Sequence, residues 1–392
     1  MRVMIATATA GGGHVAAAAA LEEAWRACRP GDVVETVDVV KFFSPLHRQI
    51  HGGGYLKLVE HAPEVWGMVF KKTDDPGLAR RLNRLRRAFP SKSRALFAAA
   101  VAKFAPDVVV CTHYGPIETL GGLRLKAAKP KRRKPGTPPL TAPAPHPRVV
   151  SVVTDFEAHA LWMDPCVDLY CLAAEETRAR LLARGVPEDR ALATGIPIAL
   201  KFAAPIEAGA VRKTLGLRDD LAVVLVLSGG FGTGPVAGIL GALDKVRQPF
   251  QTVVVTGRNE DLRRDLAAQD RTHPTHVLGF ARNMHELMGM AALVLSKPGG
   301  LTTSEALALG KPILVISPIP GQEAANSDFL LEHGAAAKVN RLDDLPFRVA
   351  ALLGSPRLAE MSEAARALGR PAAARHICEE VGRRFGGATA GG

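Results

Sequence analysis

Residues 296–326 read S-K-P-G-G-L-T-T-S-E-A-L-A-L-G-K-P-I-L-V-I-S-P-I-P-G-Q-E-A-A-N. The apolar run at 291–295 predicts a strand that turns through Gly299 and Gly300 into a helix starting near Leu301 and ending at Gly310. A glycine turn at a helix N-terminus presents unpaired backbone N–H groups and the positive dipole end, which together suit an anion. Glu305, one turn into the helix, brings a carboxylate able to accept from a pair of sugar hydroxyls. After a second apolar run at 313–316, a polar loop brings up Gln322, Glu323 and Asn326. One phosphate site, one carboxylate and a cluster of amide and carboxylate groups suit a nucleotide carrying a sugar. The glycine pair alone is equally an ordinary strand-to-helix turn; the order of the polar residues behind it gives the reading its weight.

A second constellation opens the chain. Residues 2–6 form a short apolar strand, Gly11-Gly12-Gly13-His14 follows, and the alanine-rich run from Val15 is a strong helix former. With the next strand at 35–40, this begins a parallel α/β unit that lacks the G-x-G-x-x-G of dinucleotide binding. His14 falls where a side chain projects over the carboxyl end of the sheet. A histidine there is a candidate base, although most such histidines only open a helix. The strand at 149–153 leads into T-D-F-E-A-H-A-L-W, so Asp155, His159 and Trp162 stand at another strand end, where α/β folds place ligands. Further on, the apolar run 222–227 enters Ser228-Gly229-Gly230-Phe231-Gly232, a third glycine loop, and a strand at 277–280 ends in G-F-A.

These residues need two scaffolds. At 392 residues the chain is comfortable for two domains, and the α/β pattern restarts after a hinge at 202–210. The expected division is 1–204 and 205–392, with a last helix over 356–385 crossing back and a Gly-rich tail. Another strand is read across 103–112, ending at His113. No run approaches the roughly 18 apolar residues of a membrane span, and the N-terminus reads as a strand, not a signal peptide. Five scattered cysteines show no metal-type spacing and fit free thiols in a reducing compartment.

Charge is uneven: ten of the twelve excess positive charges fall in the first 204 residues. Nucleic acid and an anionic membrane surface are both candidate partners on that ground. Residues 42–72 hold five of the twenty aromatic residues in the chain, Phe42, Phe43, Tyr55, Trp66 and Phe70, with Leu56, Leu58, Val59, Val65, Met68 and Val69 and interspersed Lys41, Arg48, Lys57, Lys71 and Lys72. Such a segment is a helical core or an interfacial surface. The single-signed run that follows, with Arg80, Arg84 and Arg87 sharing one helix face, favours the interface. No nucleic-acid motif accompanies it. Residues 124–147 are basic, proline-rich and low in complexity, as expected of a surface insertion.

The P-G-G-L-T-x-S-E run at 298–305 and the Q-E-x-x-N of Gln322, Glu323 and Asn326 resemble the donor-sugar motif of glycosyltransferase family 28. G-G-G-H at 11–14, F-F-S-P-L at 42–46 and G-Y-L-K-L-V-E-H-A-P-E-V-W-G at 54–67 resemble its lipid branch, the monogalactosyldiacylglycerol synthases and bacterial diacylglycerol glucosyltransferases. The resemblance implies an α/β chain of two Rossmann-like domains facing across a cleft, the GT-B fold, with acceptor and membrane docking in the first and donor in the second. It implies an inverting, metal-independent transfer of a hexose, glucose or galactose, from a UDP-sugar to diacylglycerol, with no cofactor beyond the donor; no D-x-D pair occurs in the chain. By this resemblance His14 is the base, Asp155 orients or replaces it, and Gly12, Gly13, His159 and Trp162 face the acceptor. Gly229, Gly230, Gly299, Gly300, Thr302, Ser304 and Glu305 hold the nucleotide, Phe280 and Ala281 take the base through backbone atoms, and Gln322, Glu323 and Asn326 take the hexose. The expected partners are a UDP-hexose, diacylglycerol and the anionic inner face of the cell membrane, without nucleic acid. A UDP-GlcNAc-dependent transferase with another lipid acceptor, an epimerase of the same fold and a basic nucleic-acid-binding protein are the alternatives.

Overall fold

The computed structural model describes residues 1–9, 12–44, 62–88, 91–128, 146–229 and 235–387, without the side chains of residues 63, 86–88 and 126–128. Gly11, Gly230, the Tyr55 part of the apolar segment, the Arg87 side chain, most of the insertion and the end of the tail lie outside the described residues. The chain forms two compact units, Met1–Ala199 with the residues from Ala373 onward, and Leu200–Ala372.

The first unit is built on six parallel strands: β1 (Arg2–Thr7), β2 (Val33–Asp38), β3 (Val108–Cys111), β4 (Arg148–Val152), β5 (Leu169–Leu172) and β6 (Ala191–Ala193), in the order β2-β1-β3-β4-β5-β6. The inner strands are near-continuous apolar runs, as expected where both sheet faces are covered; Val108 to Cys111 are all fully buried. The helices are α1 (Gly12–Cys28), α2 (Pro63–Thr73), α3 (Pro76–Ala88), α4 (Lys92–Phe104), α5 (Tyr114–Ala128) and α6 (Glu175–Ala183). With side chains alternating across the strand, Met4 and Ala6 join Phe97, Phe104, Ile117 and Leu120 in one core cluster. The chain runs from β1 out to β2, then returns to β3 on the other side of β1. That reversal makes the carboxyl ends of β1 and β3 a crevice suited to ligands.

The second unit repeats the scheme with β7 (Val223–Leu227), β8 (Gln251–Val255), β9 (Thr275–Leu278), β10 (Leu293–Ser296), β11 (Ile313–Ile316) and β12 (Ala336–Val339), ordered β12-β11-β10-β7-β8-β9. Counted from β7, this is the 3-2-1-4-5-6 order of the dinucleotide-binding fold, with its reversal between β7 and β10. The helices are α7 (Ala208–Thr214), α8 (Val236–Leu243), α9 (Glu260–Ala267), α10 (Met284–Met290), α11 (Gly300–Ala308), α12 (Gln322–Glu332), α13 (Leu345–Leu352) and α14 (Pro356–Leu368). A last helix, α15 (Ala373–Phe385), belongs to the first unit, where it lies on α1 and buries Ile377, Cys378 and Val381 completely.

Three sequence expectations are corrected. Residues 356–385 are two helices, because Pro371 has no N–H to continue the ladder and the backbone at Gly369 passes so close to α11 that a Cβ there would lie 2.4 Å from the Leu307 carbonyl oxygen. Lys103 belongs to α4, which ends at Ala105 in the left-handed region (φ 48°), so the strand expected at 103–112 is confined to β3. The strand expected at 277–280 forms two residues earlier as β9. There the His273 ring, bonded to the Val246 carbonyl (2.9 Å) and packed on Phe250, anchors its start.

Candidate functional site

The polar residues collect at the strand-order reversal of each unit. In the first, Ala6 is in register with Cys111, and Cys111 with Ser151, so the segments leaving β1, β3 and β4 emerge side by side. They carry His14, His113 and Thr154. The Thr112 hydroxyl donates to the main-chain carbonyl of His14 (3.0 Å), tying the first turn of α1 to the end of β3. The His14 ring places Nδ1 3.0 Å from Thr154 Oγ1 and meets the His113 ring edge to face at 4.8 Å; Trp162 lies 6.2 Å away, centroid to centroid. His113 is oriented in turn: its Nδ1 accepts the Gly115 N–H (3.0 Å), and its ring stacks on Tyr114 at 4.3 Å.

Burial pushes the His14 pKa down to about 4, opposed by a hydrogen bond with the Thr112 main chain. The imidazole is therefore neutral at pH 7 and able to accept a proton. If Nδ1–H donates to Thr154, the free acceptor is Nε2, the arrangement a base needs. Gly12 opens α1 with clear space where a Cβ would be, and Gly13 follows half-buried. Asp155 is half-buried directly after Thr154, and Trp162 is buried in a short 3-10 turn, Ala160–Trp162.

His159 is a correction. It is buried, its Nδ1 accepts the Leu161 N–H (3.1 Å), and its Nε2 lies 3.0 Å from the Phe70 carbonyl, with the ring packed on Phe70 at 4.5 Å. Nε2 holds the C-terminal turn of α2 and Nδ1 caps the Ala160–Trp162 turn, which leaves neither for an acceptor molecule. Asp74, between α2 and α3, completes that anchor: it accepts two bonds from Arg184 (2.7 and 2.9 Å) and one from the Ala160 N–H (2.8 Å). The Arg184 and Ala160 bonds outweigh burial and hold its pKa below the ordinary carboxylate value.

The anchored helices resolve the 42–72 segment by face. Trp66 and Phe70, four apart, are half-buried, whereas Val65, Met68 and Val69 at i, i+3 and i+4 are exposed, Met68 at 61%. Lys71, Lys72, Arg80, Arg81 and Arg84 are exposed beside them, with Leu78 and Leu85. The described part of the segment, residues 62–72, is thus half-buried on one face and apolar and exposed on the other. Among the described residues no helix is long and apolar enough to cross a membrane.

In the second unit Val226 is in register with Leu295, which brings Gly229, just past β7, beside the Pro298-Gly299-Gly300 turn just past β10. Gly229 adopts φ +75°, accessible at little cost only to glycine. Gly299 is the N-cap of α11, with no side-chain cap, so the first N–H groups of that helix are not taken by a capping side chain. The two halves of the motif meet directly. Asn326 donates its Nδ2–H to the Pro298 carbonyl (3.0 Å), and the Cβ position of Gly299 lies 3.9 Å from Glu323 Oε1, while Glu323 Oε2 accepts the Ile319 N–H (2.8 Å). Gly321, at φ +96° and ψ −115°, supplies the turn that starts α12 with Gln322 half-buried in its first turn.

Asn326, expected on the hexose, is 0% exposed and faces the turn instead. Thr302 is half-buried, and Ser304 is buried with no hydrogen-bond partner on its hydroxyl among the described residues. Burial raises the Glu305 pKa to about 7, with Lys201 opposing. Lys201 in turn donates to the Arg282 carbonyl (2.6 Å) in the segment after β9, where Phe280 is 60% exposed with the Arg258 guanidinium 5.7 Å from its ring, and Ala281 is half-buried. The buried cysteines take no part; burial alone holds the Cys111 thiol well above its ordinary range.

Sequence reasoning singled out neither His113, Thr154 nor Asp74. The signal for the first two was their place directly after apolar parallel strands, the same place that marked His14. Nothing local marks Asp74, whose partners lie 86 and 110 residues away.

Residues 14–198 match the family model of monogalactosyldiacylglycerol (MGDG) synthase, and residues 231–376 match the C-terminal domain of glycosyltransferase family 28. Processive diacylglycerol beta-glucosyltransferases of Bacillus thuringiensis (strain Al Hakam) and Bacillus cereus (strain AH820) are each 29% identical to this chain, covering 97% of it and 93% of their own length. Among solved structures, MurG of Acinetobacter baumannii superposes with a TM-score of 0.60 at 17% identity, covering 97% of this chain and 99% of its own. UDP-GlcNAc 2-epimerase of Neisseria meningitidis, bound to UDP-GlcNAc, does so with a TM-score of 0.60 at 13% identity, covering 98% and 100%. At such identities the likeness shows the fold alone, and that fold is GT-B.

Proposed function

Because this chain belongs to glycosyltransferase family 28, in its diacylglycerol-glycosylating branch, we propose that it transfers glucose or galactose from a UDP-sugar to diacylglycerol, forming a β-glycosyl diacylglycerol. The observation that carries the donor half is the direct joining of the two motif halves, Asn326 to Pro298 and Glu323 beside Gly299, at the β7/β10 reversal. The diphosphate lies at the N-terminus of α11, with Gly229, Gly300, Thr302 and Ser304 around it. Glu305 takes the ribose hydroxyls, the backbone at Phe280 and Ala281 takes the base, and Gln322 and Glu323 face the hexose.

Transfer needs an acceptor hydroxyl that loses its proton while it attacks the anomeric carbon from the face opposite the departing UDP, which inverts that carbon. His14, neutral at pH 7 and oriented by Thr154 and His113, is the base, with Asp155 as an orienting carboxylate. Its low pKa makes it a weak base by itself; an ordered acceptor hydroxyl and the developing negative charge on the attacking oxygen raise its proton affinity as the reaction proceeds. Backbone N–H groups and the helix dipole neutralise the leaving diphosphate, so the reaction needs no cofactor.

Diacylglycerol stays in the bilayer, since each buried CH₂ is worth about 0.8 kcal/mol. The enzyme therefore works as a peripheral protein on the inner face of the cell membrane. Val65, Met68 and Val69 enter the acyl boundary, and Lys71, Lys72, Arg80, Arg81 and Arg84 meet anionic headgroups. The test is incubation of purified protein with radiolabelled UDP-glucose, UDP-galactose or UDP-GlcNAc and mixed vesicles with or without diacylglycerol. Label extracted into organic solvent only when diacylglycerol and a UDP-hexose are both present supports the reading; transfer from UDP-GlcNAc to some other lipid overturns it.

A further inference from the structure

Gln322, Glu323 and Asn326 enter from one helix, yet the structure separates them by burial. Gln322 and Glu323 are half-buried in the first turn of α12, whereas Asn326 is wholly enclosed. We infer that Asn326 is a positioning residue, which fixes the Pro298-Gly299 peptide so that the first N–H groups of α11 point at the donor diphosphate, and that it makes no contact with the hexose. The inference rests on the reading of that turn as the diphosphate site.

The Pro298 carbonyl precedes the N-cap of α11, so no bond of that helix can satisfy it. The proline ring fixes φ, and the remaining freedom at Pro298 is rotation of the peptide that joins it to Gly299. That peptide is held at both ends. Its carbonyl accepts from Asn326 Nδ2 (3.0 Å), and its N–H, on Gly299, donates to the Lys297 carbonyl (3.0 Å). Gly299 is also the residue whose carbonyl accepts the first helical bond, from the Thr303 N–H (2.8 Å). Rotating the peptide would thus turn the N–H groups of Gly300 and Leu301 away from a common point. A residue with 0% exposure cannot touch a ligand unless α12 itself moves. The hexose is left to Gln322 and Glu323.

A sugar-reading residue and a turn-setting residue differ in what their loss does to UDP without its sugar. Asn326→Ala and Asn326→Ser are compared with wild type by calorimetric titration with UDP and with UDP-glucose, after thermal melts select the variant that folds. The expected result is that affinities for UDP and UDP-glucose fall by the same factor, tenfold or more, with the preference among UDP-glucose, UDP-galactose and UDP-GlcNAc unchanged. Should UDP bind the variant as tightly as it binds wild type while UDP-glucose loses its advantage over UDP, Asn326 reads the hexose and the inference is overturned. Two well-folded variants with wild-type affinity for both ligands would also overturn it. Wild-type protein that does not bind UDP at all overturns the donor-site reading beneath it, an outcome visible without any substitution.

Discussion

Glu305 gives the donor site a pH dependence that can be worked through. Burial lifts its pKa from 4.5 to about 7, so the folded chain holds this proton more tightly than the unfolded chain does. Below pH 4.5 both states are protonated and the site costs nothing. As pH rises from 4.5 to 7 the folded state loses stability relative to the unfolded one, by about 3 kcal/mol in full, at 1.36 kcal/mol per unit of pKa. Glu305→Gln should therefore melt like wild type at pH 4.5 and be the more stable protein at pH 8. Ribose hydroxyls donate to a carboxylate, so donor binding selects the ionised form. With a pKa near 7, the ionised fraction rises from about one-tenth at pH 6 to about nine-tenths at pH 8, and UDP affinity should rise about tenfold over that span. The phosphate of UDP itself titrates at about pH 6, so the comparison is calorimetry of UDP with wild type against Glu305→Gln. Only wild type should show the extra tenfold rise, and at pH 8 it should bind UDP more tightly by roughly 1.5–3 kcal/mol. Parallel pH profiles for the two proteins would refute the assignment of Glu305 to the ribose.

His14→Ala should reduce transfer by about 10²–10⁴-fold, the usual range for a general base, while calorimetry shows UDP affinity unchanged; a loss under tenfold would make His14 structural and Asp155 the next residue to substitute. Arg80→Glu, Arg81→Glu and Arg84→Glu combined should release the protein from anionic vesicles in a sedimentation assay, at on the order of 1 kcal/mol per charge, and salt should release wild type in the same way. Met68→Asp should weaken vesicle binding while leaving the melting temperature within a degree or two, because Met68 is 61% exposed; strong destabilisation would place it in the core. Asp74→Ala removes two bonds from Arg184 and one from Ala160 and should cost about 2 kcal/mol, seen as a lower melting temperature and faster proteolysis between α2 and α3. Because Asp74 has a lowered pKa, its contribution is present above the ordinary carboxylate pKa and is lost as pH falls through its folded value.

Much of this was legible because parallel α/β units write their sites locally. The glycine turns at His14 and Gly299 follow apolar strands, and those strands prove to flank the order reversal in each sheet, so sequence position alone located the two strand ends where the polar groups gather. Burial was not legible. Asn326 and Gln322 lie four residues apart in one motif, and only the packing of α12 against the Pro298 turn makes one a clamp and leaves the other half-buried. His159 read as a ligand for the same reason: a histidine at a strand end is chemically available until its neighbours, here the Phe70 carbonyl of α2 at Nε2 and the Leu161 N–H at Nδ1, occupy both its nitrogens. The single helix read over 356–385 failed at Gly369, where the constraint is the approach of Leu307, about sixty residues away in sequence. The sequence reading took Val65, Trp66, Met68, Val69 and Phe70 together as one apolar set, and only the packing separates the half-buried Trp66 and Phe70 from the exposed three.

The most direct test of the account is the anomeric configuration of the lipid product. Protein supplied with a UDP-hexose and diacylglycerol-containing anionic vesicles should yield an organic-soluble glycolipid whose anomeric proton shows the large diaxial coupling of a β-glycoside in NMR, the opposite of the donor. A small-coupling α-glycoside, or UDP-hexose consumed with no sugar on diacylglycerol, would contradict it.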